Sequence, residues 1–120
     1  MSHIVTIQTK LHDRAAINAA CRRLSLSEPV EGTTKLFLSE ASGLLLHLPG
    51  WTYPAVIEPL SGTVQYDNYG GAWGDQGHLD RFLQSYAVAK ATQEARRKGL
   101  LVTEQTLQDG SIKLQIHEGG

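Results

Sequence analysis

"TVQYDNYGGAWGDQGHLDRFL", residues 63–83, passes from strand period to helix period across one polar, glycine-rich loop. Thr63-Val64-Gln65-Tyr66 alternates and is rich in β-formers, so it reads as a strand. From Asp75 onward Leu79, Phe82, Leu83, Tyr86 and Ala87 keep helical spacing, and Lys90 extends the row as an amphipathic edge. Arg96-Arg97-Lys98 then fill a last turn and Gly99 supplies a left-handed cap. A strand feeding a long helix through such a loop sets the frame for the rest of the chain.

Downstream, Leu101 to Ile116 is centred on Asp109-Gly110. A two-residue turn there would pair Leu107 with Ile112 and put Leu114 and Ile116 on one face. Upstream, Tyr53-Pro54-Ala55-Val56-Ile57 and Thr63–Tyr66 flank Leu60-Ser61-Gly62 as a second hairpin. Lys35–Leu38 and Gly43–Leu48 read as two short strands around a turn at Ser39–Ser42, the second stopped by Pro49-Gly50. At the start, Ile4–Thr9 is strand-like and Asp13 is placed to cap a helix. Ile17, Ala20, Cys21 and Leu24 form that helix's apolar stripe, with Arg22 and Arg23 near its end. Hairpins dominate this order. The expected class is α+β: a mostly antiparallel sheet, two helices packed on one face and a C-terminal β-hairpin, in a single domain over residues 1–120.

Composition narrows the function classes. A hydrophobic content of 41% with 19% charged residues excludes wholesale disorder. A net charge of −1 with interspersed signs argues against a dedicated nucleic-acid binder. No apolar run is long enough to span a bilayer, and Met1–Val5 lacks the regions of an export signal, so a cytoplasmic protein is expected, or one of a plastid stroma or virus-infected cell. Cys21 is the only cysteine, which excludes an internal disulfide and multi-thiolate zinc.

Three stretches carry a resemblance: "MSHIVTIQTKLHD" at the start, "QYDNYGGAWGDQGHLDRFLQSYAVAKATQEARRKG" in the middle and "VTEQTLQDGSIKL" near the end. In order and spacing they resemble the family called domain of unknown function 1257, whose chloroplast member is hypothetical chloroplast reading frame 35. The resemblance covers more than half of the chain, and Met-Ser-His and Asp-Gly-Ser-Ile-Lys are its most specific marks. It implies a small soluble protein of plastids, bacteria and some of their viruses. It implies no reaction and no catalytic residues.

The residues themselves offer one candidate grip. Tyr66, Tyr69 and Trp73 are suited to stack on a flat ligand. Asn68 lies among them, and Gly70, Gly71 and Gly74 let backbone amides approach an anion near a helix start. No G-x-G-x-x-G or P-loop is present, and Asp67, Asp75 and Asp80 would repel phosphate unless they face away. The bland alternative is a strand exit in which Asp75 caps the helix and the aromatics seal the core edge. Trp51 and Tyr53 form a second aromatic cluster that closes the core, lines a pocket or meets a partner. Arg96 and Arg97, with Arg22 and Arg23, are either a phosphate patch or a solvated helix end.

Cys21, on the apolar stripe, reads as inert packing. The five histidines match no metal pattern, and His3 is placed to approach the end of the second helix. No nucleophile–base pair, carboxylate pair, metal set or cofactor fingerprint stands out. The expectation is a non-catalytic binding protein without metal or cofactor. Trp51, Tyr53, Tyr66, Asn68, Tyr69, Gly70, Gly71, Trp73, Arg96 and Arg97 would hold a planar, nucleotide-like small molecule, in a monomer or a homo-oligomer, sequestering a nucleotide signal if the source is viral. The alternative is an adaptor whose aromatics meet a protein partner such as an ATPase complex.

Overall fold

Asp13 opens the first helix as its chemistry requires: its backbone is extended and its carboxylate accepts the Ala16 amide at 3.1 Å. In the computed structural model, which describes residues 4–118, the elements follow in order. They are β1 (Val5–Gln8), α1 (Arg14–Arg23), β2 (Val30–Lys35), β3 (Glu40–Leu46), β4 (Ala55–Glu58) and β5 (Thr63–Tyr66), then a single short turn of helix (Tyr69–Gly71), α2 (Gln76–Arg97), β6 (Leu100–Thr106) and β7 (Ile112–Glu118). Strands β1 to β5 form one antiparallel sheet in the order β1-β5-β4-β3-β2, and β6 pairs with β7 as a separate antiparallel hairpin. The α+β class with a C-terminal hairpin is therefore the observed one. His3 lies outside the described residues.

Period-2 alternation sorts the sheet's two faces. Leu44, Leu46, Ala55, Ile57, Val64 and Tyr66 point to the helix side, where Ile17, Ala20 and Cys21 of α1 and Leu79, Phe82 and Tyr86 of α2 complete the main core. Phe82 and Ile17 are fully buried, and burying a side chain of this size stabilises by about 1.5–3 kcal/mol. The opposite face carries a smaller core of Leu36, Ala41 and Val56, flanked by Leu45 and Tyr53.

Two registers differ from expectation. The β2 strand is Val30–Lys35, and the turn runs from Leu36 to Ser39, not from Ser39 to Ser42. The β-branched Val30, Thr33 and Thr34 take the ladder positions, while Leu36 folds inward against Val56 and leaves Phe37 and Leu38 exposed on the turn. In the C-terminal hairpin Ile112 faces Thr106, not Leu107. Leu107 donates its amide to Ser111 O at 2.8 Å, and Gly110 (φ 86°) closes a three-residue loop. The Asp109 carboxylate captures the Ser111 amide at 2.9 Å, which takes the extra loop residue. Leu114 and Ile116 still share a face, two residues apart.

Ala87, placed on the buried row by spacing, is exposed, whereas Ser85 and Val88 are buried. The reason is a second neighbour. The hairpin doubles back over the helices: Glu104 pairs with Arg23 of α1, and Asp109 and Gly110 face Gly77 and Gln84 across a shallow hollow. Helix α2 is thus buried on two sides and exposed between them.

Candidate functional site

The loop between β5 and α2 is built on Asn68. Its backbone carbonyl accepts both the Gly71 and Trp73 amides, at 3.0 and 2.9 Å. Its side-chain amide donates to Gly74 O at 3.2 Å and Gln76 Oε1 at 3.1 Å. The chain turns left-handed through Tyr69 (φ 50°), Gly70 (φ 60°) and Gly71 (φ 104°). Glycine enters that region freely; a tyrosine does so at a cost of about 1–2 kcal/mol. What holds Tyr69 there is on both sides of it. Its amide donates to Asp67 Oδ1 at 3.3 Å, and its ring stacks on Trp73 at 4.7 Å between centroids.

This loop borders a cavity of about 440 Å³, within the range of small-molecule sites. Tyr66, Asn68, Tyr69, Gly70 and Gly71 line it, all anticipated from sequence, together with Val5 from β1 and Gln76 from the first turn of α2. The last two were missed. Gln76 follows the helix cap directly and so was legible; Val5 comes in only through its pairing with Tyr66 across the sheet. Both Asn68 amide hydrogens are engaged, while its Oδ1 accepts no hydrogen bond among the described residues. The site thus offers one aromatic wall, one exposed ring and a carboxamide acceptor.

The other anticipated residues lie elsewhere. Trp51 is a bracket: its indole N–H donates to Asp75 O at 3.0 Å, its ring meets Tyr66 edge-on, and it lies flat against Gly74. A Cβ on Gly74 would stand 2.5 Å from the indole, so glycine is required by that contact. Trp73 turns to the outer face of the sheet, 5.2 Å from the Phe37 ring and 5.8 Å from the Tyr53 ring between centroids. Trp51 and Tyr53 therefore do not close over the same ligand as Tyr66. Arg96 and Arg97 occupy the far end of α2, about 30 Å from Gln76 at the helical rise. Arg97 is paired with Glu94 there, and Arg23 with Glu104.

Few of the loop's amides are left for an anion at the glycines. The amides of Tyr69, Gly71, Ala72, Trp73, Gly74 and Gly77 have internal acceptors, while those of Gly70 and Gln76 at the cavity have none among the described residues. Asp75 caps α2 by accepting the Gly77 amide at 3.0 Å, the position a phosphate would need. Asp67 is buried, does not line the cavity, and its Oδ2 has no hydrogen-bond partner among the described residues.

A second, larger groove of about 730 Å³ runs between the β1–α1 connection and α2. Lys90 closes it with an ion pair to Asp13 at 2.9 Å, and Tyr86 Oη donates to Lys10 O at 2.8 Å. The Lys90 ammonium, then the Ala16 amide, holds the Asp13 carboxyl below the ordinary range. Burial pushes the Cys21 thiol up to about 11, which suits packing and not nucleophilic use. Among the described residues no group of three or more His, Cys, Asp or Glu is placed to hold a metal, and no helix is long and apolar enough to cross a membrane. No protein-family model, curated protein or solved structure matches the chain.

Proposed function

We propose that the chain is a non-catalytic binding protein that receives a small, planar, base-like molecule in the hollow between Tyr66, Asn68, Tyr69 and Gln76. What supports the reading is the convergence of these groups with Val5 around one cavity in which Asn68 Oδ1 accepts no hydrogen bond among the described residues. A ring N–H or exocyclic amine would donate to that oxygen while its plane lies along the tyrosine. Because most of the nearby amides are occupied and Asp75 holds the helix start, the recognised part is the flat ring, with any phosphate left towards solvent. This keeps the nucleotide-like class and shifts the weight from phosphate to base. The resemblance to the domain of unknown function 1257 family fits such a small accessory protein.

The test is isothermal titration of nucleobases, nucleosides and nucleotides against the wild type and Val5→Trp. Val5 is 37% exposed on an edge strand, so an indole there fills the cavity without entering the core. Binding should be similar for a nucleoside and its nucleotide, and should vanish in Val5→Trp with the melting point retained. Affinity that requires the phosphate, or that survives the indole, rejects the reading.

One observation favours the adaptor alternative. Phe37, Leu38 and Trp73 leave an apolar patch on the outer face, with Phe37 50% and Leu38 75% exposed. Capture of a protein partner abolished by Phe37→Ser, with no small-molecule binding, would promote it.

A further inference from the structure

Strand β2 is an edge of the five-stranded sheet, and among the described residues no strand pairs with its outer side. Natural edges are blunted by proline, bulges or inward lysines. Pro29 precedes this one, and Glu31 and Lys35 lie on the face of Leu44, yet it runs in unbroken register from Val30 to Lys35 against Leu45 to Glu40. Antiparallel pairing alternates residues bonded to the neighbour with residues whose amide and carbonyl point away. The Leu36 amide bonds to Ser39 O at 2.7 Å, which fixes the phase. Leu36, Thr34, Gly32 and Val30 bond to β3, so Glu31, Thr33 and Lys35 present their backbone groups to the open side.

We infer that β2 pairs with β2 of a second copy, antiparallel and centred on Thr33, joining two sheets into one of ten strands. The inference is independent of the ligand reading. Its occupant is set by the strand's own sequence. Centring on Thr33 places Thr33 opposite itself, Glu31 opposite Lys35 of the second copy and Lys35 opposite Glu31. All three residues with outward backbone groups then meet their counterparts in hydrogen-bonded pairs. A shift by two residues in either direction sets Glu31 or Lys35 against Thr33 and leaves one end of the ladder unpaired. Only the centred register both uses every outward group and pairs opposite charges, and cross-strand charge pairs of this kind select register.

The intrachain neighbour extends the same row. Lys35 already faces Glu40 across β2–β3, so it would lie between two carboxylates. On the other face Val30, 65% exposed, comes opposite Leu36 of the second copy, beside the exposed Phe37 turn. A two-fold axis through Thr33 makes the contact self-complementary and closed, the ordinary form of a homodimer.

Sedimentation velocity of the full chain tests this. The wild type should sediment as a dimer at about 100 µM, well above a micromolar dissociation constant. Glu31→Lys or Lys35→Glu sets like charges opposite each other twice and should weaken dimerisation about tenfold or more. The triple swap Glu31→Lys/Lys35→Glu/Glu40→Lys, which keeps residue 35 opposite in sign to both neighbours, should restore it. Thr33→Pro removes an outward amide that no bond among the described residues uses, together with the exposed Thr33 Oγ1–Ser42 Oγ contact at 2.7 Å, so it should give a monomer whose melting point falls by only a few degrees. A monomeric wild type, single reversals that leave the dimer intact, or a triple swap that fails to restore it overturns the inference.

Discussion

Replacing Asn68 by Asp changes one atom type and no volume, and the structure makes the consequence calculable. The side chain is 5% exposed and donates two hydrogen bonds, to Gly74 O and Gln76 Oε1. Losing both costs about 1 kcal/mol each. A carboxylate would also face the Gly74 carbonyl oxygen at about the same separation, without solvent to screen it. Gln76 is able to rotate its amide and donate instead, at the expense of its contact with Asp80 at 3.3 Å. One repulsion is thereby relieved and one remains, so the total comes to about 3 kcal/mol. For a chain of this length that lowers the melting temperature by about 10 °C. Calorimetry at pH 7 measures it. Burial raises the new carboxyl's folded-state pKa, so the deficit should shrink as acid protonates it and returns one donor. A melting point within about 2 °C of wild type, or a deficit that widens in acid, would refute the idea that Asn68 organises the loop.

Two further outcomes follow from the titrating groups. Cys21, with its folded value raised to about 11 from 9.0, should resist a thiol reagent at pH 8 until the chain is unfolded. Its contribution is fully present below pH 9.0 and is lost as pH rises towards about 11; native labelling at the rate of a free thiol would place it at the surface. Asp13, held low chiefly by the Lys90 hydrogen bond, contributes stability that is present above its ordinary 3.8 and lost as pH falls through its lowered value. Asp13→Ala should cost about 1 kcal/mol through the cap alone, and Asp13→Asn less, since the amide oxygen still accepts from Ala16. Equal losses in urea titrations of the two would show that the cap is not what Asp13 supplies.

The elements that were legible in the sequence are those whose signals are local. Asp13 and Asp75 cap helices because a short carboxylate beside an amide needs no tertiary partner. The Leu60–Gly62 turn is likewise closed locally, by the Gly62 amide on Glu58 O at 2.8 Å. The β2 register was hidden because Leu36-Phe37-Leu38 is the more hydrophobic run, yet it forms the turn, and the outer core that draws Leu36 in exists only after β3 and β4 are paired. The hairpin missed by one residue because Asp109-Gly110 suits both loop lengths, and the Asp109–Ser111 contact decides between them. Half of the anticipated site converges on one cavity for a similar reason. Residues 66 to 71 are contiguous, so a local loop carries them together. Trp51, Tyr53 and Arg96 required knowledge of which face and which helix end they reach.

The strain at Tyr69 has an explanation that needs no ligand. Three successive left-handed residues cost little at the two glycines and about 1–2 kcal/mol at the tyrosine. Against this stand a ring stack on Trp73, about 0.5–1.5 kcal/mol beyond its buried area, and an amide bond to Asp67 worth about 1 kcal/mol more. The loop therefore closes its own energy balance, and strain alone is no argument for a site. What the balance leaves over is position. Tyr69 remains 40% exposed at the rim of the hollow. The functional reading therefore rests on the hollow and the Asn68 acceptor, which ligand titration tests directly, and the scaffold stands whichever way that titration falls.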